Sequence, residues 1–220
     1  MSGERFEIDF EEFNKITADE VEKKYVHNVY NNIANHFSDT RVKPWSSIKF
    51  FLESLSESSI LVDVGCGNGK NMGISRGINY GCDICDNLLE IAKSKGHNVI
   101  KGDMLSLPYP DLFADVVINI AVLHHLSTEE RRLKAIGEML RILKINGLLM
   151  IYVWAKKEGQ TNNDLFVGWT SKDQKTEYKR FYHFFEQKEL ENLCLMAGNC
   201  SIEKSYLDKE NWGIILKKTS

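Results

Sequence analysis

The stretch from Ile60 to Lys70 constrains the fold of this chain more than any other. It reads I-L-V-D-V-G-C-G-N-G-K, a buried-strand pattern that runs directly into a loop with glycines at positions 65, 67 and 69. A loop without side chains lets a ligand lie against bare backbone. Asp83 ends a second predicted strand about twenty residues after Asp63, the spacing at which a carboxylate binds a ribose hydroxyl. The stretch therefore predicts a site for an adenosine-type cofactor.

Length and composition fit one globular domain with a sizeable core. The chain has 220 residues, of which 43% are hydrophobic and 27% charged. No apolar run reaches the roughly 18 residues of a membrane span, and the acidic N-terminus lacks the apolar core of a signal peptide. We expect a cytoplasmic protein, possible also in the nucleus, with an acidic arm over residues 1–18 and a single domain over residues 19–220.

The cysteines predict neither disulfides nor a metal site. Five cysteines without regular spacing do not form a disulfide framework. Cys82 and Cys85 form a C-x-x-C pair, but no second pair or matching histidines would complete a zinc site. The net charge of −3 is not typical of a nucleic-acid-binding protein.

Strands and helices alternate from residue 60 onward, which predicts a parallel sheet covered by helices on both faces. The last two strands are too close for a crossover helix, so we expect an antiparallel hairpin at one edge. Residues 155–180 are polar and lysine-rich and are expected to cross the surface without regular structure. The predicted strands are 60–64, 78–83, 98–102, 115–121, 147–154, 201–207 and 212–217; the predicted helices are 19–37, one after Pro44, 86–95, 128–144 (begun by a Ser127-x-x-Glu130 capping box) and 186–198.

The glycine spacing distinguishes between adenosine-type cofactors. A G-x-G-x-x-G loop would indicate a nicotinamide or flavin, but this loop reads G-x-G-x-G and a terminal hairpin follows the fifth strand. The combination predicts an α/β fold of the class I S-adenosylmethionine-dependent methyltransferases, with a seven-stranded, mostly parallel sheet and a terminal antiparallel hairpin. Asp103, after the third strand, offers a carboxylate to the adenine amino group.

Several other blocks are more specific than the glycine loop. They are Y-V-H-N-V-Y-N-N-I-A-N-H-F-S-D-T-R-V-K-P-W (25–45), I-A-V-L-H-H-L-S-T-E-E-R-R-L (120–133), I-Y-V-W-A (151–155), R-F-Y-H-F-F (180–185) and N-W (211–212). From Tyr25 to its end, the chain resembles the eukaryotic tRNA wobble-uridine carboxymethyl methyltransferases. In one departure, the family's usual F-V-P-W reads Phe166-Val-Gly168-Trp here, which is expected to loosen that loop.

The resemblance implies methyl transfer from S-adenosylmethionine to the carboxylate of 5-carboxymethyluridine at the wobble position of the anticodon, giving the methyl ester. Such a carboxylate has an unperturbed pKa of about 4, so it is ionised at neutral pH and needs no general base. Arg41 is the candidate to hold it, unless the guanidinium only forms a surface salt bridge. His124 and His125 are candidates to line the acceptor pocket, unless both are structural.

Two further sets of residues are assigned to binding. Tyr30 and Trp45 either close over the cofactor or pack in the core, and Trp154 either stacks a base or packs in the core. Arg131 and Arg132 either contact phosphate or pair with neighbouring glutamates. The cofactor set is Tyr30, Trp45, Asp63, Gly65, Gly67, Asn68, Gly69, Asp83, Ile84, Asp103, Met104 and Ala121. The RNA set is Arg131, Arg132, Trp154, Lys156, Arg180, His183, Asn211 and Trp212. A basic rim, or else only a solvated loop, would add Lys134, Lys157, Lys172, Lys175 and Lys179.

The third strand, about residues 98–102, is expected at the far edge of the sheet. It reads N-V-I-K-G, an apolar edge defended only by Lys101, and such an edge can pair with another strand. The resemblance implies a small zinc-binding activator protein docked there, in a heterodimer. Two other functions remain open: a small-molecule carboxylate or quinone methyltransferase of the same fold, and an inactive cofactor-binding scaffold.

Overall fold

A sheet of seven strands forms the centre of the protein, in the order β4-β3-β2-β5-β6-β10-β9. The computed structural model describes residues 4–8, 10–13, 15–171 and 176–220. Strands β2 to β6 run parallel, and β10 is antiparallel to both of its neighbours. The strands of this sheet are β2 (Ile60–Val64), β3 (Ile78–Asp83), β4 (Val99–Lys101), β5 (Ala114–Ile120), β6 (Leu143–Trp154), β9 (Cys200–Asp208) and β10 (Asn211–Lys218).

Helices cover both faces of this sheet, because its central strands carry apolar residues in both directions. In β5, Val116 and Ile118 face α4, whereas Val117 faces α6. Within the described residues, no helix is long and apolar enough to cross a membrane. The helices are α1 (Phe10–Phe13), α2 (Ala18–Glu22), α3 (Asn28–Thr40), α4 (Ser46–Glu53), α5 (Asp86–Ser94), α6 (Glu129–Ile142) and α7 (Glu189–Ala197); a π turn (Lys23–His27) joins α2 to α3 and a 3-10 turn (Leu123–His125) follows β5.

The predicted fold class is confirmed, and the predicted strands of this sheet are found within a few residues of their expected ends. The predicted capping box before α6 is wrong. Thr128 is the N-cap, and its side chain accepts a hydrogen bond from the Arg131 amide. Ser127 instead donates its amide and its hydroxyl to the buried carboxylate of Glu22. A tertiary partner therefore shifted the start of the helix by one residue.

A second sheet of three antiparallel strands, in the order β1-β7-β8, is the main departure from the predicted architecture. Its strands are β1 (Arg5–Glu7), β7 (Asp164–Thr170) and β8 (Glu177–His183). Residues 155–180 were expected to lack regular structure, but Leu165 and Val167 pack on one face of β7 and Phe166 on the other. Burial on both faces removes the polar alternation by which a strand is recognised in a sequence.

Part of the N-terminal arm belongs to this second sheet. Residues Arg5–Glu7 pair with β7, and the amide of Gly168 donates to the carbonyl of Glu4 over 2.8 Å. Ile8 is 5% exposed. The division into an arm over 1–18 and a domain over 19–220 stays a prediction.

His183 joins the second sheet to helix α7. Its Nδ1 lies 2.6 Å from Asp164 Oδ1 and its Nε2 lies 2.6 Å from Glu189 Oε1. Burial opposes the imidazolium, but the hydrogen bonds to the two carboxylates outweigh burial and raise the pKa of His183 above its usual value. Burial also opposes the ionised form of Glu189, and the hydrogen bond from His183 overcomes it, so the pKa of Glu189 is lowered. His183 and Glu189 are therefore oppositely charged between these two pKa values.

We predict that stability falls as pH rises through the raised pKa of His183. A group whose pKa rises on folding contributes its full stability below its unfolded pKa, about 6.5 for histidine, and loses it above the folded pKa. His183→Gln should lower the free energy of unfolding by about 3 kcal/mol near pH 6 and by less at alkaline pH. Urea unfolding at several pH values measures this, with His97→Gln as the control because burial lowers the pKa of His97. The prediction is contradicted if His183→Gln lowers the free energy of unfolding by the same amount at all pH values.

Candidate active site

The glycine loop after β2 forms the floor of a deep cavity at the carboxyl edge of the large sheet. Gly65 and Gly67 have φ angles of 76° and 53°, in the left-handed region that favours glycine. A Cβ on Gly65 would lie 2.5 Å from Val122 Cγ2, so the loop packs directly against the end of β5. A Cβ on Gly67 would have only Leu88 within 4 Å, at 3.9 Å, because this glycine borders the open cavity.

Asp83 connects the loop to the end of β3. Its Oδ2 accepts the amide of Gly67 and its Oδ1 accepts the amide of Cys85, each over 2.8 Å. Burial raises the pKa of Asp83, while these backbone hydrogen bonds act in the opposite direction. Each carboxylate oxygen can accept a second hydrogen bond, and Asp83 lines the cavity. The carboxylate is thus fixed in place and has acceptor capacity for a diol such as a ribose.

Asp103 follows β4, the next strand of the sheet, and also lines the cavity. Its Oδ1 accepts the amide of Leu105 over 2.8 Å, which fixes the orientation of the carboxylate. Asp83 and Asp103 therefore stand at the ends of adjacent parallel strands, as expected for a nucleoside site in an open α/β sheet.

Two predicted cofactor residues, Asp63 and Gly69, do not line the cavity. Asp63 is 1% exposed on β2, where burial raises its pKa to about 7 against the attraction of Lys70. Gly69 packs on His97, since a Cβ there would lie 2.5 Å from His97 Cδ2. The predicted cofactor residues that do line the cavity are Tyr30, Trp45, Gly65, Gly67, Asn68, Asp83, Ile84, Asp103, Met104 and Ala121.

The segment containing α3 closes the cavity from the side opposite the sheet. Asn68 in the glycine loop donates to Ser38 Oγ over 2.9 Å and to the carbonyl of Arg41 over 3.3 Å. The Arg41 side chain lines the cavity with its guanidinium carbon 5.1 Å from the centre of the Phe37 ring. The structure therefore brings Arg41 together with the glycine loop, although the two lie far apart in the sequence.

His125 lies on the cavity wall in a defined neutral tautomer. Its Nδ1 is 2.8 Å from the carbonyl oxygen of Phe181, which can only accept, so Nδ1 carries the proton. Burial, together with the charge of Arg180, lowers the pKa of His125 to about 3, against the hydrogen bond to Phe181. Its Nε2 therefore accepts, and its partner is the hydroxyl of Tyr30 at 3.0 Å.

His124 is also buried in the cavity wall, at 1% exposed. Its ring stacks on that of Tyr182 with centroids 4.9 Å apart. Its Nδ1 accepts the amide of Trp154 over 3.4 Å, and burial lowers its pKa well below the usual value. Both histidines are thus neutral at physiological pH and provide shape and hydrogen bonds rather than charge.

Glu22 and Tyr182 also line the cavity, and neither is among the site residues predicted from the sequence. Tyr182 lies within the R-F-Y-H-F-F block, so that block was the signal for it. Glu22 carries no comparable signal. It is 1% exposed and accepts Arg131 Nε over 2.8 Å and Arg131 Nη2 over 2.6 Å. Arg131 is therefore committed to a buried carboxylate and not to the neighbouring glutamates that were considered.

The predicted RNA residues do not form one exposed basic surface. Arg132 is 5% exposed, and its Nη1 donates to the carbonyl of Leu126 over 2.9 Å. Lys156 pairs with Glu186 over 2.9 Å. Arg180 and His183 are buried, and Trp154 lines the cavity. Trp212 Nε1 donates to the carbonyl of Phe185, and Asn211 pairs with Trp154 across the sheet. Lys172 and Lys175 lie outside the described residues.

Charged side chains of both signs line the cavity, and they include Lys70 of the glycine loop and the buried Glu22. Asp83 and Asp103 lie at the ends of β3 and β4, on the floor side. The rings of Tyr30, Phe37 and Trp45 and the cation of Arg41 come from the N-terminal segment. A nucleoside fits the acidic side through its hydroxyls and amino group, and an anion fits the side of Arg41. Such a site can hold two reactants close together and exclude water from between them.

Residues 62–151 match the family described as "Methyltransferase domain". A Schizosaccharomyces pombe tRNA (carboxymethyluridine(34)-5-O)-methyltransferase is 39% identical over 90% of this chain and 98% of that protein. An Arabidopsis thaliana protein of the same name is 49% identical over 69% of this chain, but the match spans only 37% of that longer protein.

A solved structure shares the fold at low identity. It is the complex of the Haloferax volcanii Trm112 methyltransferase activator with a methyltransferase, and it matches with a TM-score of 0.65. The match has 13% sequence identity and covers 89% of this chain and 99% of the other. At that identity the likeness concerns the fold alone.

Proposed function

Because this chain belongs to the family of tRNA (carboxymethyluridine(34)-5-O)-methyltransferases, we propose that it methylates the carboxylate of 5-carboxymethyluridine at the wobble position of a tRNA anticodon. The product is the methyl ester, and the methyl donor is S-adenosylmethionine. The observation that supports the proposal best is the cavity itself, in which the fixed carboxylate of Asp83 and the cation of Arg41 line one space.

The residues at the floor of the cavity fit S-adenosylmethionine. Gly67 leaves room where a Cβ would stand, Asp83 would hold the ribose hydroxyls, and Asp103 would hold the adenine amino group. When bound, this cofactor supplies a methyl group on a positively charged sulfur, which an anionic oxygen can attack. The chain's own residues have to provide orientation and a dry environment.

The protein side of the reaction requires no proton transfer. The acceptor carboxylate is ionised at neutral pH, and both histidines on the wall are neutral because burial lowers their pKa values. Arg41 would hold one carboxylate oxygen from the cavity mouth and leave the other free to react. Tyr30, Trp45 and Trp154 would exclude water around the two reactants.

Transfer of a radiolabelled methyl group onto tRNA tests the proposed function. The substrate is bulk tRNA from cells that make the carboxymethyl group but lack its methylation, and the control is tRNA that lacks the carboxymethyl group. We expect base-labile label in the first tRNA alone, with the enzyme used both alone and with an added activator of the Trm112 kind. Label in a small carboxylic acid or quinone, and none in tRNA, would replace the proposal with a small-molecule methyltransferase.

Asp83→Ala should weaken binding of S-adenosylhomocysteine by about 1–3 kcal/mol, because the ribose hydroxyls lose their acceptor. Titration calorimetry measures this without any RNA. The matched control is Asp86→Ala, since Asp86 is exposed and pairs with Lys101 outside the cavity. Unchanged affinity in Asp83→Ala would show that Asp83 does not bind the ribose.

We also propose that a small zinc-binding activator protein docks on the edge formed by β4. Strand β4 pairs with β3 on one side only and ends the sheet. Ile100 is 40% exposed there, and Lys101 is occupied by Asp86 at 2.6 Å. An open, apolar edge strand favours the addition of a strand from a partner.

Ile100→Asp should abolish co-elution with an added Trm112-type activator in size-exclusion chromatography, because it places a charge on the docking edge. Ile145→Asp is the matched control, since Ile145 is 53% exposed at the start of β6, away from this edge. Loss of co-elution in both variants, or in neither, would exclude the β4 edge as the docking site.

A further inference from the structure

Arg180, on β8 of the second sheet, is a buried cation. It is 3% exposed, and within the described residues no carboxylate lies within 4.0 Å of its guanidinium. Its Nη2 donates to the carbonyl of Gly168 over 3.2 Å, and its Nη1 faces two tyrosine hydroxyls. Its Nε has no hydrogen-bond partner there. A buried charge of this kind is costly unless an anion comes near it.

The two hydroxyls stand between Arg180 and the cavity. Nη1 of Arg180 lies 3.0 Å from Tyr182 Oη and 3.4 Å from Tyr30 Oη, and both tyrosines line the cavity. The ring of Trp169 lies beside both cations, 4.9 Å from the guanidinium carbon of Arg180 and 5.9 Å from that of Arg41. Arg41 therefore lines the cavity directly, whereas Arg180 is separated from it by the hydroxyls of Tyr30 and Tyr182.

The hydrogen atoms in this network can be assigned by elimination. His125 donates from Nδ1 to Phe181, so its Nε2 must accept the one proton of the Tyr30 hydroxyl. Arg180 can only donate, so it supplies no acceptor to either tyrosine. Since the Tyr30 proton is used by His125, the hydroxyl of Tyr182 is the donor in the contact between the two tyrosines. Its acceptor there is Tyr30 Oη, 3.2 Å away.

That last contact is weak. Hydrogen bonds between oxygens are usually about 2.7–2.8 Å long, and 3.2 Å lies beyond their ordinary range. A carboxylate oxygen in the cavity would be a better acceptor, because hydrogen bonds to ionised groups are shorter and roughly twice as strong. Arg180 behind the hydroxyl would add attraction for the same anion.

We propose that the hydroxyl of Tyr182 donates a hydrogen bond to one oxygen of the acceptor nucleotide's carboxylate, with Arg180 as the positioning residue behind it. This inference rests on the proposed function and adds Tyr182 to the residues that would hold the acceptor carboxylate. Arg41 and Tyr182 both line the cavity, and in this proposal both contact the same anion. The second carboxylate oxygen stays free to attack the methyl group.

Tyr182→Phe tests the proposal, since it removes one oxygen and keeps the ring that stacks on His124. We expect kcat/KM on tRNA carrying 5-carboxymethyluridine to fall about 10- to 100-fold, with unchanged affinity for S-adenosylhomocysteine. The matched control is Tyr178→Phe, on the same strand but outside the cavity, which should leave kcat/KM unchanged. Wild-type kcat/KM in Tyr182→Phe would overturn the proposal.

A binding experiment separates a contact with the anion from a structural role. Wild-type enzyme should bind an anticodon stem-loop with 5-carboxymethyluridine more tightly than one with its methyl ester, which carries no charge. Tyr182→Phe should reduce this preference, with Arg41 supplying the part that remains, and should leave the affinity for the ester unchanged. Equal weakening of both RNAs would indicate a structural role and overturn the inference.

Arg180 is tested by Arg180→Gln and Arg180→Lys. We expect Arg180→Gln to lower kcat/KM and to reduce the preference for the charged RNA, and Arg180→Lys to recover part of each because it restores the charge. Both variants should bind S-adenosylhomocysteine normally. If they do and Arg180→Lys recovers neither kcat/KM nor the preference for the charged RNA, the charge of Arg180 has no positioning role. If wild-type enzyme transfers no methyl group to this RNA, the proposed function itself fails; if it does and Tyr182→Phe is as active, the inference alone fails.

Discussion

The candidate site depends on the pair of hydrogen bonds from the amides of Gly67 and Cys85 to the carboxylate of Asp83. They tie the loop after β2 to the turn after β3, so that two adjacent parallel strands end in one rigid edge. Left-handed backbone at Gly65 and Gly67 lets the chain turn sharply enough to make the contact. Burial raises the pKa of Asp83, and the backbone donors oppose that rise, so the same contact that shapes the loop also favours the ionised acceptor.

The large sheet supplies only one side of the cavity. The opposite wall comes from α3 and from the second sheet, whose strand β8 carries Tyr182 and Arg180. In the proposed function, the large sheet would bind the cofactor and the second sheet would contact the acceptor.

The sequence predicted the large sheet well, and it placed Asp83 and Asp103 at the ends of the strands where the structure has them. It could not predict contacts between distant segments. Arg131 looked available for phosphate until the fold placed Glu22 beside it. Tyr182 had a signal only as part of a sequence block, since its importance arises from Tyr30 and His125, which the fold brings from two other segments. Strands β7 and β8 were missed because burial on both faces erases the alternation of a half-exposed strand.

Gly168 illustrates how one residue can determine whether a segment stays attached. The resemblance places a proline where this chain has glycine, and a proline has no amide hydrogen. Here that hydrogen bonds the carbonyl of Glu4, next to the strand that completes the second sheet. A built Cβ at this position would also lie only 3.1 Å from the Phe6 ring. The N-terminal strand and the glycine therefore depend on each other: a proline at this position would remove the hydrogen bond beside β1 and would crowd the Phe6 ring.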